Sequence, residues 1–279
     1  RFLLRSKLIW EIRSFLNNHG YVEIETPILN NKASGAMAKP FKTHHNALDI
    51  DLYLRIAPET YLKRAIVGGF TKVFEFARCF RNEGMDTTHL QDFTMLEGYG
   101  AYLNYEDNMK FLQEMIQTVV ANLFGKLELT VDGVTVDISG DWESISMRDL
   151  ILKYTPIDIY EYDTKEKLLE KIKQEKIEID SETPLENLGY GNLVDQLYKK
   201  VARPHVVKPC FLTKHPISLS PLARANDDNP NLTDRFQLII NGAEIINAYS
   251  ELVDPIEQEK RLEEQARLKS NGDEEAMMM

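Results

Sequence analysis

Two runs of alternating residues, 73–80 and 93–102, joined by a short polar segment, constrain this chain more than any other feature. Period-2 alternation predicts strands. Phe74, Phe76, Arg78 and Phe80 share one face of the first, and Phe93, Glu97, Tyr99 and Ala101 share one face of the second. The loop between them carries Arg81, Asn82, Glu83 and His89. An arginine leaving one strand and an aromatic entering the next can hold a nucleotide, guanidinium on phosphate and ring on base. The competing reading is a solvent-exposed hairpin whose charges keep it soluble, and alternation alone leaves both standing.

The 279 residues suffice for one large or two modest domains with a real core. No apolar run approaches a membrane span, and no signal peptide is visible. Because residue 1 is Arg, a native N-terminus is expected to have been removed. Cys79 and Cys210 lie far apart without metal-ligand spacing, which predicts a reduced, cytoplasmic setting and no zinc. A net charge of −11 argues against a dedicated nucleic-acid-binding domain. It is compatible with RNA at a local basic patch, for which Lys63, Arg64 and Lys72 are one choice; scattered solvated charges are the equal alternative.

Leu3, Leu4, Leu8, Ile9, Ile12, Phe15 and Leu16 fall at helical spacing over residues 2–18, and Gly20 stops that helix. Residues 22–27 read as a short strand ended by Pro27. Residues 49–56 alternate, and a helix follows from Thr60 to Val67. A long amphipathic helix spans 105–124 with Met109, Leu112, Met115, Ile116, Val119 and Val120 inward, and 126–138 form a hairpin around Asp132-Gly133. Residues 145–206 are helical and rich in Lys and Glu, an expected inserted helical subdomain whose charge run from Glu161 to Glu182 is its solvated face. Strand patterning returns over 209–252, where Asn241-Gly242 marks a two-residue hairpin. From Pro255 to about Ser270 the chain is helical.

Arg81-Asn82-Glu83, followed by His89 and Phe93-Thr94-Met95-Leu96-Glu97, resembles motif 2 of class II aminoacyl-tRNA synthetases. The helix followed by Gly20-Tyr21-Val22-Glu23-Ile24-Glu25-Thr26-Pro27 resembles their motif 1, which implies a homodimer interface over residues 1–27. Thr43-His44-His45-Asn46-Ala47-Leu48-Asp49, Leu54-Arg55-Ile56-Ala57-Pro58-Glu59, Ser220-Pro221-Leu222-Ala223-Arg224 and Asn247-Ala248-Tyr249-Ser250-Glu251-Leu252 resemble the lysyl-tRNA synthetase catalytic domain, the last two being the more lysine-specific. The fold implied is α+β, an antiparallel sheet flanked by helices. The absence of a P-loop or Rossmann glycine string agrees with it.

The activity implied is lysine–tRNA ligation: lysine and ATP give lysyl-adenylate, and the 3′ end of tRNA(Lys) takes the lysyl group. Such chemistry needs positioning and charge neutralisation more than a covalent nucleophile. By the resemblance Arg81 holds the α-phosphate and the lysine carboxylate. Glu83 and His89 lie around adenine and the distal phosphates, and Phe93 stacks under adenine. Glu59, Glu97, Tyr99, Asn247, Tyr249 and Glu251 form the amino-acid pocket, with Glu251 and Tyr99 facing the ε-ammonium and Glu59 the α-amino group. Gly35 admits close backbone approach. Glu244 matches a Mg²⁺ ligand bridging ATP phosphates. Its partner position, usually Glu in the family, is Gln237 here, and a neutral amide oxygen is a weaker ligand for a hard cation. Regular pairing through Asn241-Gly242 puts Gln237 and Glu244 on one face and Asn247, Tyr249 and Glu251 on the other, so a single pocket requires a bulge near Ile246. His44 and His45, with Asp49 and Asp51 nearby, form a weaker metal candidate at a place where the family is not known to bind metal.

No Gly-x-Gly-x-x-x-Asp-Arg string occurs, so the chain is expected to be a catalytic domain truncated before motif 3, without the anticodon-binding barrel. Two other readings stay open: a non-catalytic synthetase-like binding module, and a paralogue that lysylates a protein.

Overall fold

Gly20 adopts φ +79°, a conformation that strains any residue with a Cβ, just beyond α1 (Phe2–Asn18), as its place in the sequence predicts. The computed structural model describes residues 1–32, 38–84, 89–131, 133–181 and 183–273. They form two compact units, residues 1–102 and 103–273.

In the first unit α1 leads into β1 (Val22–Glu23), β2 (Leu29–Asn30), β3 (Lys42–His45), β4 (Ile50–Leu54), α2 (Glu59–Val67), β5 (Lys72–Phe80) and β6 (Asp92–Gly100). The two alternating runs pair antiparallel, from Lys72↔Gly100 to Phe80↔Asp92. β1 lies parallel on the other edge of β5 and is shorter than the expected 22–27. Ile24 still donates its N–H to the Phe74 carbonyl at 3.0 Å, but Thr26 turns its hydroxyl to Glu75 and Pro27 has no N–H to extend the ladder. β4 pairs with β2 and β3 in a separate antiparallel sheet. Phe15 and Leu16 of α1 are buried, whereas Phe2 (90%), Leu3 (82%) and Trp10 (64%) stay exposed, so the front of its apolar stripe is uncovered.

The second unit opens with α3 (Tyr105–Phe124), which begins on a capping box: Asn104 Oδ1 accepts the Asp107 N–H at 2.9 Å and Asp107 Oδ2 accepts the Asn104 N–H at 3.2 Å. β7 (Glu128–Val131), β8 (Val134–Asp137), β9 (Glu143–Ser146), α4 (Met147–Tyr154), α5 (Lys165–Gln174), α6 (Tyr190–Val201), β10 (Cys210–Thr213), β11 (Arg235–Ile240), β12 (Ala243–Tyr249) and α7 (Pro255–Ser270) follow. β7 and β8 form the hairpin expected over 126–138, whose Asp132 lies outside the described residues. The main sheet runs β12-β11-β10-β9, with β9 parallel to β10. Parallel neighbours cannot be joined by a tight turn, and the helical stretch after β9 is the crossover that joins these two. Its Lys- and Glu-rich helices bury Leu150, Leu168, Leu193 and Leu197 against Leu212 and Ile239 of the sheet. Among the described residues strand pairing is thus mostly antiparallel, with two parallel exceptions, and the strands divide among four sheets rather than one.

Beyond α7 the chain returns to the start of α6. The buried Asp273 carboxylate accepts the Gly189 N–H at 2.7 Å and the Asn192 amide at 2.9 Å, satisfying donors at a helix N-terminus, where negative charge is favoured. Asp273→Ala leaves these donors without their acceptor and should cost about 1–3 kcal/mol. Denaturant unfolding with an unchanged m-value checks this, and a loss within error would remove the anchor role.

Candidate active site

In the first unit the β5–β6 register sets Val73, Glu75, Ala77 and Cys79 opposite Tyr99, Glu97, Met95 and Phe93. Phe93, Glu97 and Tyr99 therefore share one face, as alternation predicts. Arg81 prolongs the ladder by donating its N–H to the Gln91 carbonyl at 2.8 Å, which keeps it in the same parity. Its guanidinium carbon lies 5.3 Å from the centroid of the Phe93 ring. The Arg81 Nε is buried without a hydrogen-bond partner among the described residues, so this donor is available to an anion.

Glu83 is held by the preceding segment: its Oε1 accepts the Lys39 N–H at 3.1 Å, and the Asn82 N–H reaches the Lys39 carbonyl at 2.7 Å. His89 is exposed. Gly35 lies outside the described residues.

Glu59, at the start of α2, is buried and accepts from Lys63 Nζ at 2.6 Å. The same ammonium lies 5.9 Å from the centroid of the Tyr99 ring, and the Tyr99 hydroxyl donates to Glu97 Oε1 at 2.6 Å. One carboxylate, that of Glu59, and the Tyr99 ring thus already receive one ammonium, that of Lys63. Each cation of the suggested basic patch has a partner of its own. Lys63 is tied to Glu59, Lys72 Nζ donates to the His19 carbonyl at 3.1 Å, and Arg64 lies over Tyr61.

Sequence reasoning missed the buried ion pair that Glu75 makes on this same face. Arg55 and Glu75, both buried, pair at 2.7 Å. Arg55 also donates to the Arg78 carbonyl at 2.8 Å and the Thr26 carbonyl at 2.9 Å, and the Thr26 hydroxyl donates to Glu75 Oε2 at 2.6 Å. The available signal was a glutamate among Val73, Ala77 and Cys79, since a charge on an apolar face needs a partner.

In the second unit the turn at Asn241-Gly242 has φ of +49° and +71°, as a type I′ hairpin requires. Pairing runs Arg235↔Tyr249, Gln237↔Asn247 and Leu238↔Ile246, then shifts to Ile239↔Glu244. Ile245 has no partner, so it is the required bulge residue, and the extra residue returns Glu244 to the face of Gln237, Asn247 and Tyr249. The two lysine-specific strings meet directly beyond β12. Ala223 bridges Glu251, the Arg224 N–H donates to the Ser250 carbonyl at 2.7 Å, and the Leu252 N–H to the Leu222 carbonyl at 3.0 Å.

Asn247 Oδ1 accepts Arg235 Nε at 2.9 Å, and Arg235 is anchored by the Leu219 carbonyl and the Ser220 hydroxyl. Gln237, 4% exposed, donates its amide to Glu244 Oε2 at 2.8 Å and turns its oxygen to His215 Nε2 at 3.3 Å. Complete burial, reinforced by the Arg235 charge, pushes His215 well below the ordinary histidine range. A proton on Nε2 faces the Gln237 oxygen, which pairs a donor with that acceptor. Desolvation raises the Glu244 carboxyl, with Arg235 opposing. His44 contacts Asp49 and Asp51 at 3.2 Å each, but no group of three or more His, Cys, Asp or Glu able to hold a metal occurs among the described residues.

An arginine over an aromatic ring on an antiparallel hairpin, with carboxylates on the same face, offers an anion-binding donor beside a stacking surface. The chain belongs to the tRNA synthetases class II (D, K and N), the family matched over residues 1–278. It is similar to the lysine–tRNA ligase of Dehalococcoides mccartyi, 46% identical over 269 residues, covering 96% of this chain and 53% of that protein. It is also similar to the lysine–tRNA ligases of Thermosipho africanus (46% identical, 100% and 54%) and Enterococcus faecalis (43% identical, 99% and 54%). The chain spans about half the length of the curated relatives it matches.

Proposed function

We propose that this chain is the lysine-activating region of an ATP-dependent lysine–tRNA ligase. A lysine carboxylate oxygen attacks the α-phosphorus of ATP, the bond to the β-phosphate oxygen breaks, and pyrophosphate leaves. A 3′-terminal ribose hydroxyl of tRNA(Lys) then attacks the adenylate carbonyl, and AMP leaves. The observation that carries this reading is Arg81 over Phe93 with a buried Nε lacking an acceptor. The lysine–tRNA ligase names of the relatives support the amino-acid assignment.

In this reading Arg81 binds the α-phosphate as charge spreads over it, and Phe93 takes the adenine face. Glu83 and His89 serve the rest of the nucleotide. Glu59, Glu97 and Tyr99 bind lysine, and by the family resemblance Asn247, Tyr249 and Glu251 do as well. The Lys63 ammonium shows what such carboxylates accept, and substrate would compete with it at Glu59. Bound with ATP, Mg²⁺ supplies charge neutralisation at the phosphates, and Glu244 is the carboxylate suited to hold it.

The uncovered residues Phe2, Leu3 and Trp10 of α1 support a homodimer through residues 1–27. No helix among the described residues is long and apolar enough to cross a membrane, and a cytoplasmic setting is the matching proposal.

Lysine-dependent ATP–pyrophosphate exchange with Mg²⁺ tests the function, on this chain and on the full-length protein. Exchange with lysine, and not with aspartate or asparagine, is the expected result in the full-length protein. Exchange in neither form overturns it and favours a binding module.

A further inference from the structure

Gln237 and Glu244 occupy the place where two carboxylates would share a cation, and their hydrogen bonds describe a different device. An ionised carboxylate only accepts hydrogen bonds, so the Gln237 amide must present its NH₂ to Glu244 Oε2, as it does at 2.8 Å. Its oxygen is thereby directed to His215, 3.3 Å away. His215 is fully buried and sets its Nε2 against that oxygen from behind. Turning the amide to offer its oxygen to a cation beside Glu244 would remove the hydrogen bond that Glu244 now accepts and would turn the NH₂ to the His215 ring in a buried site. Gln237 is only 4% exposed.

We propose that Gln237 is not a metal ligand but a positioning residue: a fixed donor, set by His215, that holds the Glu244 carboxylate in place of a cation. The Gln237–Glu244 pair then binds no divalent cation by itself. Glu244 keeps one oxygen for a cation whose remaining ligands come from nucleotide phosphates. This last statement rests on the proposed ATP site; the statement about the pair alone does not.

The test uses Mn²⁺ as probe, counted by electron paramagnetic resonance on the chain without nucleotide, for the wild type, Glu244→Gln and Gln237→Glu. Wild type should bind no more Mn²⁺ than Glu244→Gln. Gln237→Glu, nearly isosteric, should create a site at least about tenfold tighter, because it restores a second hard anionic oxygen. A Mn²⁺ bound by wild type and lost in Glu244→Gln overturns the proposal even if Gln237→Glu does not fold. Equal binding by wild type and a folded Gln237→Glu overturns it as well. Calorimetric binding of a non-hydrolysable ATP analogue is measured separately. Its absence would count against the ATP site and would leave the nucleotide-free Mn²⁺ comparison decisive for Gln237.

Discussion

Arg81→Ala should lower lysine-dependent ATP–pyrophosphate exchange by about two to three orders of magnitude, the loss typical when one preorganised donor to developing charge is removed. The ladder bond from Arg81 to Gln91 fixes the Arg81 backbone, and the guanidinium lies over the Phe93 ring, so its direction is favoured before substrate arrives. Its buried Nε has no acceptor to lose among the described residues, so stability should change little. The effect should fall on kcat rather than KM, because the interaction strengthens as charge spreads over the α-phosphate. Arg81→Lys keeps a positive charge but not the planar fork, and should recover only a small part of the rate. Wild-type exchange in a folded Arg81→Ala protein would remove this residue from the reaction.

The second large effect is on stability. Arg55→Leu leaves the Glu75 carboxylate buried without its counter-charge, which should cost about 3–5 kcal/mol. Both side chains are 4% exposed, so solvent cannot substitute for the missing partner. Thr26 would still donate to Glu75, and this keeps the loss from being larger. The double variant Arg55→Leu with Glu75→Leu should be more stable than Arg55→Leu alone, because replacing a whole buried pair removes both desolvation penalties. Urea unfolding of the two singles and the double gives the coupling energy. A single-variant loss below about 1 kcal/mol would place the pair with weak surface ion pairs and end its structural role.

The two predictions separate what the face of β5 and β6 does from what holds it up. Arg81, Phe93, Glu97 and Tyr99 stand on one side through strand parity, and all four could be named from alternation and resemblance. Arg55 and Thr26 come from distant segments and had no local pattern to reveal them. The helix over 105–124 was legible to the residue because its cap is local: Asn104 and Asp107 are three apart and satisfy each other's N–H. The hairpin at Asn241-Gly242 was legible for the same reason, since both turn residues need positive φ.

The amino-acid sequence by itself determined the period-2 hairpin, the helices with their own caps, the type I′ turn and the residue kinds at each position, because all of these depend on neighbours a few residues away. Only the tertiary structure decided which faces meet. An unpaired Ile245 moves Glu244 onto the side of Asn247 and Tyr249, and a slip of one residue reverses every side chain beyond it. Only the tertiary structure, too, put His215 behind Gln237 and so settled which end of the amide faces Glu244. Local propensity cannot encode these choices, because each is made by a partner strand or a buried ring that is remote along the chain and adjacent in space.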